Sequence, residues 1–396
     1  MREAVVKQVL PALRMLASGE NVLTLRFDDR EIFSKIQDEE ELKEISFIPA
    51  DAAVLVVDET QDPSGIVSDL EVKLSMWKDE RSDYPDYVLL KEIGLVALSP
   101  DAAHLGVMLG DQEPVKDYSA SSGRLANKIA IVTGAAMGFG AGIAAKLFHE
   151  GANVVIADWN EEEGTKMFNF LNESGLGNRA LYLKVDVSDA ASVENMITET
   201  VRHFGGLDLI ISNAGVLRAG GLDEMTPENF TFMTDVNCKG YFLCTKYASA
   251  VMKIQSKYRA GYYTDIIQIN SKSGLKGSNR NFAYAGGKFG GIGLTQSFAM
   301  ELIPYRIKVN SVCPGNFFEG PLWSDPEKGL FVQYLRAGKV PGAKTIADVK
   351  AFYEAQVPAG RGCRVIDVFR AILYIIEQEY ETGQAVPVTG GQIMLS

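Results

Sequence analysis

The 396-residue sequence predicts an α/β protein in two parts: a doubly wound parallel sheet over residues 126–396, preceded by a smaller α/β domain over 1–125. Three observations carry this expectation. After residue 126 short apolar strands alternate with helix-length segments, the pattern of a parallel sheet covered by helices on both faces. Charge divides at the same place: residues 1–125 hold 13 Lys+Arg against 25 Asp+Glu, whereas the remainder holds 26 of each. A glycine-rich turn, TGAAMGFG (133–140), joins the first strand of the second part to its first helix. The length alone favours two cores over one.

In the front part, NVLTLRF (21–27) and AVLVVDE (53–59) read as strands, and EIFSKIQDEEELKEI (31–45) as a charged surface helix. YVLLKEIGLVALS (87–99) reads as one strand or two, and DQEPVKDYSASSGRLANK (111–128) as a polar linker. Beyond it KIAIVTG (128–134) is a short apolar strand and GAGIAAKLFHEG (140–151) a helix with an apolar face. NVVIAD (153–158) and a charged helix from Glu161 follow. ALYLKVDV (180–187), LDLIISNAG (207–215), DIIQINS (265–271) and IKVNSVCPG (307–315) complete the strands.

Composition excludes several classes. An acidic front with no basic stripe argues against nucleic acid and anionic membrane as partners. No run approaches membrane-spanning length, and the N-terminus lacks the uninterrupted apolar core of a signal peptide. The four cysteines lack ligand-like spacing and suit free thiols in a reducing cytoplasm. With only His104, His149 and His203 in the chain, no metal site is expected.

The glycine turn stands between strand and helix, where Gly134, Gly138 and Gly140 let backbone approach a pyrophosphate at a helix N-terminus. Asp158 ends the second strand, positioned to accept from an adenosine ribose diol and to repel a 2′-phosphate. Met137 offers such a phosphate no cation, so NAD is the expected cofactor. The competing reading of Asp158 is a helix cap. Asp186 and Val187 end the third strand near the expected adenine edge. Asn213, Ala214 and Gly215 close the fourth with a turn of small residues. Downstream, Tyr284 and Lys288 share a helix face at i, i+4. An ammonium beside a phenol favours phenolate and allows proton exchange near neutrality. Ser271, at a strand end, supplies a hydroxyl to hold a substrate oxygen. Ser273 reads as its neighbour.

Together TGAAMGFG, NAG (213–215), Ser271, YAGGK (284–288) and CPG (313–315) resemble the short-chain dehydrogenase/reductase family over residues 126–396. The resemblance implies a Rossmann fold and a nicotinamide cofactor held also by Phe139, Pro314 and Gly315. It implies Tyr284 as acid/base, Lys288 as its partner and a ribose ligand, and Ser271 as the substrate-orienting hydroxyl. Asn237, in DVNCKGYF, would support the lysine. The family's threonine after Pro-Gly is missing, which leaves Asn316 or backbone groups for that contact. Within the family, IIQINSKSG, KFGGIGLTQS, VPAGRGC and VTGGQ are similar to the bacterial sorbitol-6-phosphate 2-dehydrogenase branch. That likeness implies NAD-dependent oxidation of D-sorbitol 6-phosphate to D-fructose 6-phosphate by a homotetramer. An unphosphorylated polyol, another ketose/alditol pair, or a non-catalytic NAD(H)-sensing role are the alternatives. Lys272, Lys276 and Arg280 are candidate phosphate ligands, Lys272 first because it lies between the two serines, with solvated loop charges as the competing reading. The front part is faintly similar to a class II aldolase domain, but its single histidine excludes a working metal aldolase. Packing, oligomerisation or shaping of the substrate site remain for it.

Overall fold

Apolar runs buried on both faces build the main sheet. The computed structural model describes residues 1–58, 62–81, 83–111, 122–174, 176–218, 220–277, 281–327, 329–336, 338 and 340–394. Four strands belong to the front part: β1 (Thr24–Asp28), β2 (Val54–Val57), β3 (Tyr87–Leu90) and β4 (Gly94–Ser99), in the order β1-β4-β3-β2. The stretch 87–99 is thus two strands, paired antiparallel. Seven more follow: β5 (Ile129–Thr133), β6 (Asn153–Asp158), β7 (Ala180–Lys184), β8 (Leu209–Ser212), β9 (Thr264–Ile269), β10 (Ile307–Pro314) and β11 (Ala385–Val388). They pair in parallel in the order β11-β10-β9-β8-β5-β6-β7. Every residue of β5, β9 and β10 is buried, as strands covered on both faces require. The strand order reverses between β5 and β8, and ligands of such sheets bind at the carboxyl ends beside that reversal.

Helices Gly138–His149 and Val365–Glu377 pack into one apolar cluster. Ala190–Phe204, Gly240–Tyr258 and Phe282–Leu302 contribute to the other. That second cluster continues without a break into the front part, from Val5 to Val309. The front part is therefore welded to the helix layer. The strongest join is polar. Arg14, fully buried on helix Leu10–Ala17, donates to both carboxylate oxygens of Asp208 at 2.9 and 2.8 Å. It also donates to the Leu23 carbonyl at 2.8 Å. Asp208 accepts further from the Ile129 N–H and the Tyr262 hydroxyl, each at 2.8 Å. Burial alone would raise this carboxyl, but Arg14, with Lys128, overrides burial and holds it well below the usual range.

One expected element breaks. The single helix over 31–45 is two short ones, Glu31–Lys35 and Glu39–Lys43. Asp38 accepts the Glu41 N–H at 2.9 Å and starts the second, a cap that competes with continuous helix. Phe33 and Leu42 then point into the core. Most of the expected linker, 112–121, and Arg280 lie outside the described residues. Among the described residues no helix is long and apolar enough to cross a membrane.

Candidate active site

A cavity of about 1230 Å³ is lined by residues from the carboxyl ends of the parallel strands. Its first wall is the glycine loop. Gly134 and Gly138 adopt left-handed φ of 63° and 62°, a conformation that favours glycine. A Cβ on Gly140 would stand 2.0 Å from the Gly134 carbonyl oxygen, so only glycine brings the helix this near the strand. Asn213 donates to the carbonyls of Thr133 and Gly134 at 2.9 and 3.1 Å and clamps the loop from below. A Cβ on Gly134 would meet the Ala214 backbone at 2.9 Å, so glycine at 134 lets the loop lie against the Asn-Ala-Gly turn. Helix Gly138–His149 has no side-chain cap. Its first N–H groups and positive dipole end face the cavity through Met137, Gly138 and Phe139, the donor set a pyrophosphate needs.

Asp158 lines the same wall. One carboxylate oxygen accepts the Ala136 N–H at 2.8 Å and the other the Asn160 N–H at 2.9 Å. The helix cap is Asn160, which accepts the Glu163 N–H at 3.2 Å. Asp158 therefore braces the glycine loop, and the competing cap reading fails. Asp186 and Val187 line the wall beyond it, with Asp186 accepting from both the N–H and the hydroxyl of Ser188. Pro314, Gly315 and Asn316 line it from the end of β10.

The second wall holds Ser271 and Tyr284, with Lys288 behind them, the residues expected to move a proton. Asn270 ties the end of β9 to the helix Phe282–Leu302 by donating to the Lys288 carbonyl at 2.9 Å. That tether brings Ser271 near the Tyr284 phenol, and Ser271 Oγ accepts the Ser273 N–H at 3.1 Å. Ser273 lines the cavity beside it. Lys288 Nζ lies 5.6 Å from the centre of the Tyr284 ring and donates to the Ile269 carbonyl at 2.9 Å. Asn237 sits on a π-helical turn, Asp235–Lys239, a local irregularity common at functional sites. Its amide pairs both ways with the Val216 backbone, at 3.0 and 2.8 Å. A Cβ on Gly215 would be 2.9 Å from Asn237 Oδ1 and 3.8 Å from Lys288 Nζ, so glycine leaves room for both side chains on this side of the turn.

The electrostatics differ from the sequence expectation. Burial pushes the Tyr284 phenol above its ordinary value, with the Ser271 hydrogen bond opposing. Burial also pulls the Lys288 ammonium down to about 8, against small opposing effects of Cys313 and Cys238. Desolvation penalises both charged forms and outweighs the expected lowering of the phenol by its neighbour.

The candidate phosphate ligands separate. Lys272 lines the cavity and donates to Gln392 at 3.1 Å, whereas Lys276 is exposed and does not line it. Arg361, which is not one of those candidates, forms a two-point pair with Asp367 at 2.6 and 3.0 Å. Among the described residues none before Gly134 lines the cavity, so the front part does not shape the substrate site there.

Several residues at the site were not singled out from sequence. Phe317 stacks on Phe139 at 4.2 Å, closing the segment after β10 onto the glycine loop. Trp323, Tyr334 and Tyr353 also line the cavity and pack with Phe318 and Phe331 in a small aromatic core of their own. The doubled Phe in PGNFFEG was the available signal for the first. Nothing local marks Tyr353.

Comparison with known proteins agrees with this geometry. A family model described as short chain dehydrogenase matches residues 128–323. Sorbitol-6-phosphate 2-dehydrogenase of Escherichia coli (strain K12) is 34% identical over 271 residues, spanning 68% of this chain and 99% of that protein. Galactitol 2-dehydrogenase of Agrobacterium fabrum (strain C58 / ATCC 33970) is 31% identical over 273 residues, spanning 68% and 99%. Among solved structures, sorbitol-6-phosphate 2-dehydrogenase from Erwinia amylovora matches with a TM-score of 0.61 at 36% identity, covering 67% of this chain and 100% of that one.

Proposed function

The chain belongs to the short-chain dehydrogenase family, and on that premise we propose that it oxidises D-sorbitol 6-phosphate to D-fructose 6-phosphate with NAD+. The observation that carries the phosphate is Lys272. It is half-buried in the cavity wall, burial pulls its ammonium below the ordinary range, and among the described residues no carboxylate pairs with it. A desolvated cation without a counter-ion favours an anionic ligand. The choice of NAD over NADP rests on Asp158, whose carboxylate repels a 2′-phosphate.

When bound, the oxidised nicotinamide supplies a hydride acceptor and a positive charge. Tyr284 Oη takes the substrate's hydroxyl proton, and Ser271 Oγ holds the same oxygen. The Lys288 ammonium favours the phenolate against the burial that opposes it, and Asn237 orders the backbone turn at Val216. The glycine loop, Asp158 and the turn 213–215 hold the cofactor. We further propose a homotetramer in the cytoplasm, the free state of the four cysteines suiting a reducing compartment.

Steady-state kinetics with sorbitol 6-phosphate and sorbitol, each with NAD+ and NADP+, test the reading. A kcat/KM at least tenfold higher with the phosphate and with NAD+ is expected; equal values for the two polyols would sink the phosphate assignment. Oxidation of an unphosphorylated polyol is the second reading. It is favoured by the exposed Glu224 carboxylate on the cavity lining and by the likeness to galactitol 2-dehydrogenase.

A further inference from the structure

We propose that Gln392, on the turn after β11, is a positioning residue that aims Lys272 at the substrate's anionic group and so sets the preference for a phosphate monoester over a neutral polyol. The inference rests on the sugar-phosphate reading above. Gln392 Oε1 accepts from Lys272 Nζ at 3.1 Å, across 120 residues of sequence. An ammonium carries three donors, and an amide oxygen occupies one while adding no charge. Lys272 therefore keeps its full positive charge and the rest of its donor capacity for a ligand. A carboxylate in the same place would hold the side chain equally well and cancel the charge that recognition needs.

The turn is built to hold Gln392 there. Gly390 and Gly391 take left-handed φ of 61° and 87° and reverse the chain sharply after β11. Thr389 Oγ1 ties the turn to Ile393 through both its carbonyl, at 3.1 Å, and its N–H, at 3.3 Å. The Gln392 N–H donates to the Thr389 carbonyl at 3.2 Å. A Cβ on Gly391 would approach Pro358 to 3.0 Å, and one on Gly390 would approach Val357 to 2.9 Å. The turn is thus seated against the chain that leaves the aromatic side of the cavity. The Gln392 side chain lies against Gly315, where a Cβ would stand 3.2 Å from Oε1. Glycine at 315 clears the space for one neutral amide to reach the cation beside Ser271, and glycines at 390 and 391 shape the turn that carries it.

The test is the selectivity ratio, kcat/KM for sorbitol 6-phosphate divided by kcat/KM for sorbitol, in the full chain with NAD+. Gln392→Glu is expected to lower that ratio at least tenfold, through a raised KM for the phosphorylated substrate with little change in its kcat. Gln392→Met removes the acceptor at similar volume without adding charge and is expected to lower the ratio several-fold. A merely structural glutamine would depress both substrates alike and leave the ratio where it was. If Gln392→Glu keeps the parental ratio, the inference is overturned while the phosphate reading stands. If the parent itself shows no preference for the phosphate, the reading beneath it fails. Should Gln392→Glu not fold, Gln392→Met decides by the same ratio.

Discussion

Replacing Lys288 with methionine is expected to end turnover yet make the protein more stable at neutral pH. Lys288 is fully embedded, and burial lowers its ammonium from an ordinary value of 10.5 to about 8. That difference corresponds to roughly 3 kcal/mol by which the fold disfavours the charged amine, at about 1.4 kcal/mol per pKa unit. Methionine fills a similar volume and removes this cost, but leaves the Ile269 carbonyl without its donor, a loss of about 1–3 kcal/mol. The net gain at pH 7 is therefore small, on the order of 1 kcal/mol. The pH dependence is the sharper observable, because the lost hydrogen bond cannot mimic it. Below pH 8 the lysine is protonated in both folded and unfolded chains, and the full cost is present. Between about pH 8 and 10.5 the unfolded chain holds more protons than the folded one, so the parent gains stability relative to the variant as pH rises. By pH 10.5 the advantage of Lys288→Met should be gone or reversed. Urea unfolding of both proteins, without added cofactor, at several pH values from 7 to 10.5 reads this difference directly. A stability difference that stays constant across that range would refute the reasoning.

Four further outcomes are expected. Tyr284→Phe should lose on the order of 10²–10⁴ in kcat while NADH binding, read by fluorescence, persists; full turnover would overturn the assigned acid/base role. Arg14→Met leaves Asp208 buried without its main partner and should cost about 3–5 kcal/mol in urea unfolding, far more than a surface substitution. The double change Arg14→Met with Asp208→Asn should recover part of that loss, and no recovery would mean that packing, not charge, is what Arg14 supplies. Light scattering should give the mass of four chains, and a monomer would reject the tetramer.

How much of the site was legible depends on how far apart its parts lie in sequence. The Tyr284–Lys288 pair and the glycine loop each occupy one local element, so helical spacing and strand-turn-helix context suffice to read them. The strands were equally readable, because burial on both faces leaves continuous apolar runs. The helix expected over 31–45 failed at Asp38, where a side-chain cap won over helical propensity, a local competition that charge patterning does not reveal. The expected lowering of the Tyr284 phenol failed for a different reason: the i, i+4 spacing gives proximity, whereas the direction of the shift was set by burial.

From the sequence alone come the second part's parallel sheet and the expectation of a dinucleotide loop and of Ser271, Tyr284 and Lys288 as the reacting set, because each is written in short-range spacing and residue type. The tertiary structure alone decided that Arg14 joins the front part to Asp208 across 194 residues. It also brought Gln392 to Lys272 from the far end of the chain and left Lys276 off the cavity lining. Those outcomes depend on which groups are desolvated together. Desolvation is a property of the packed molecule, set by contacts between segments that carry no sign of one another in the sequence.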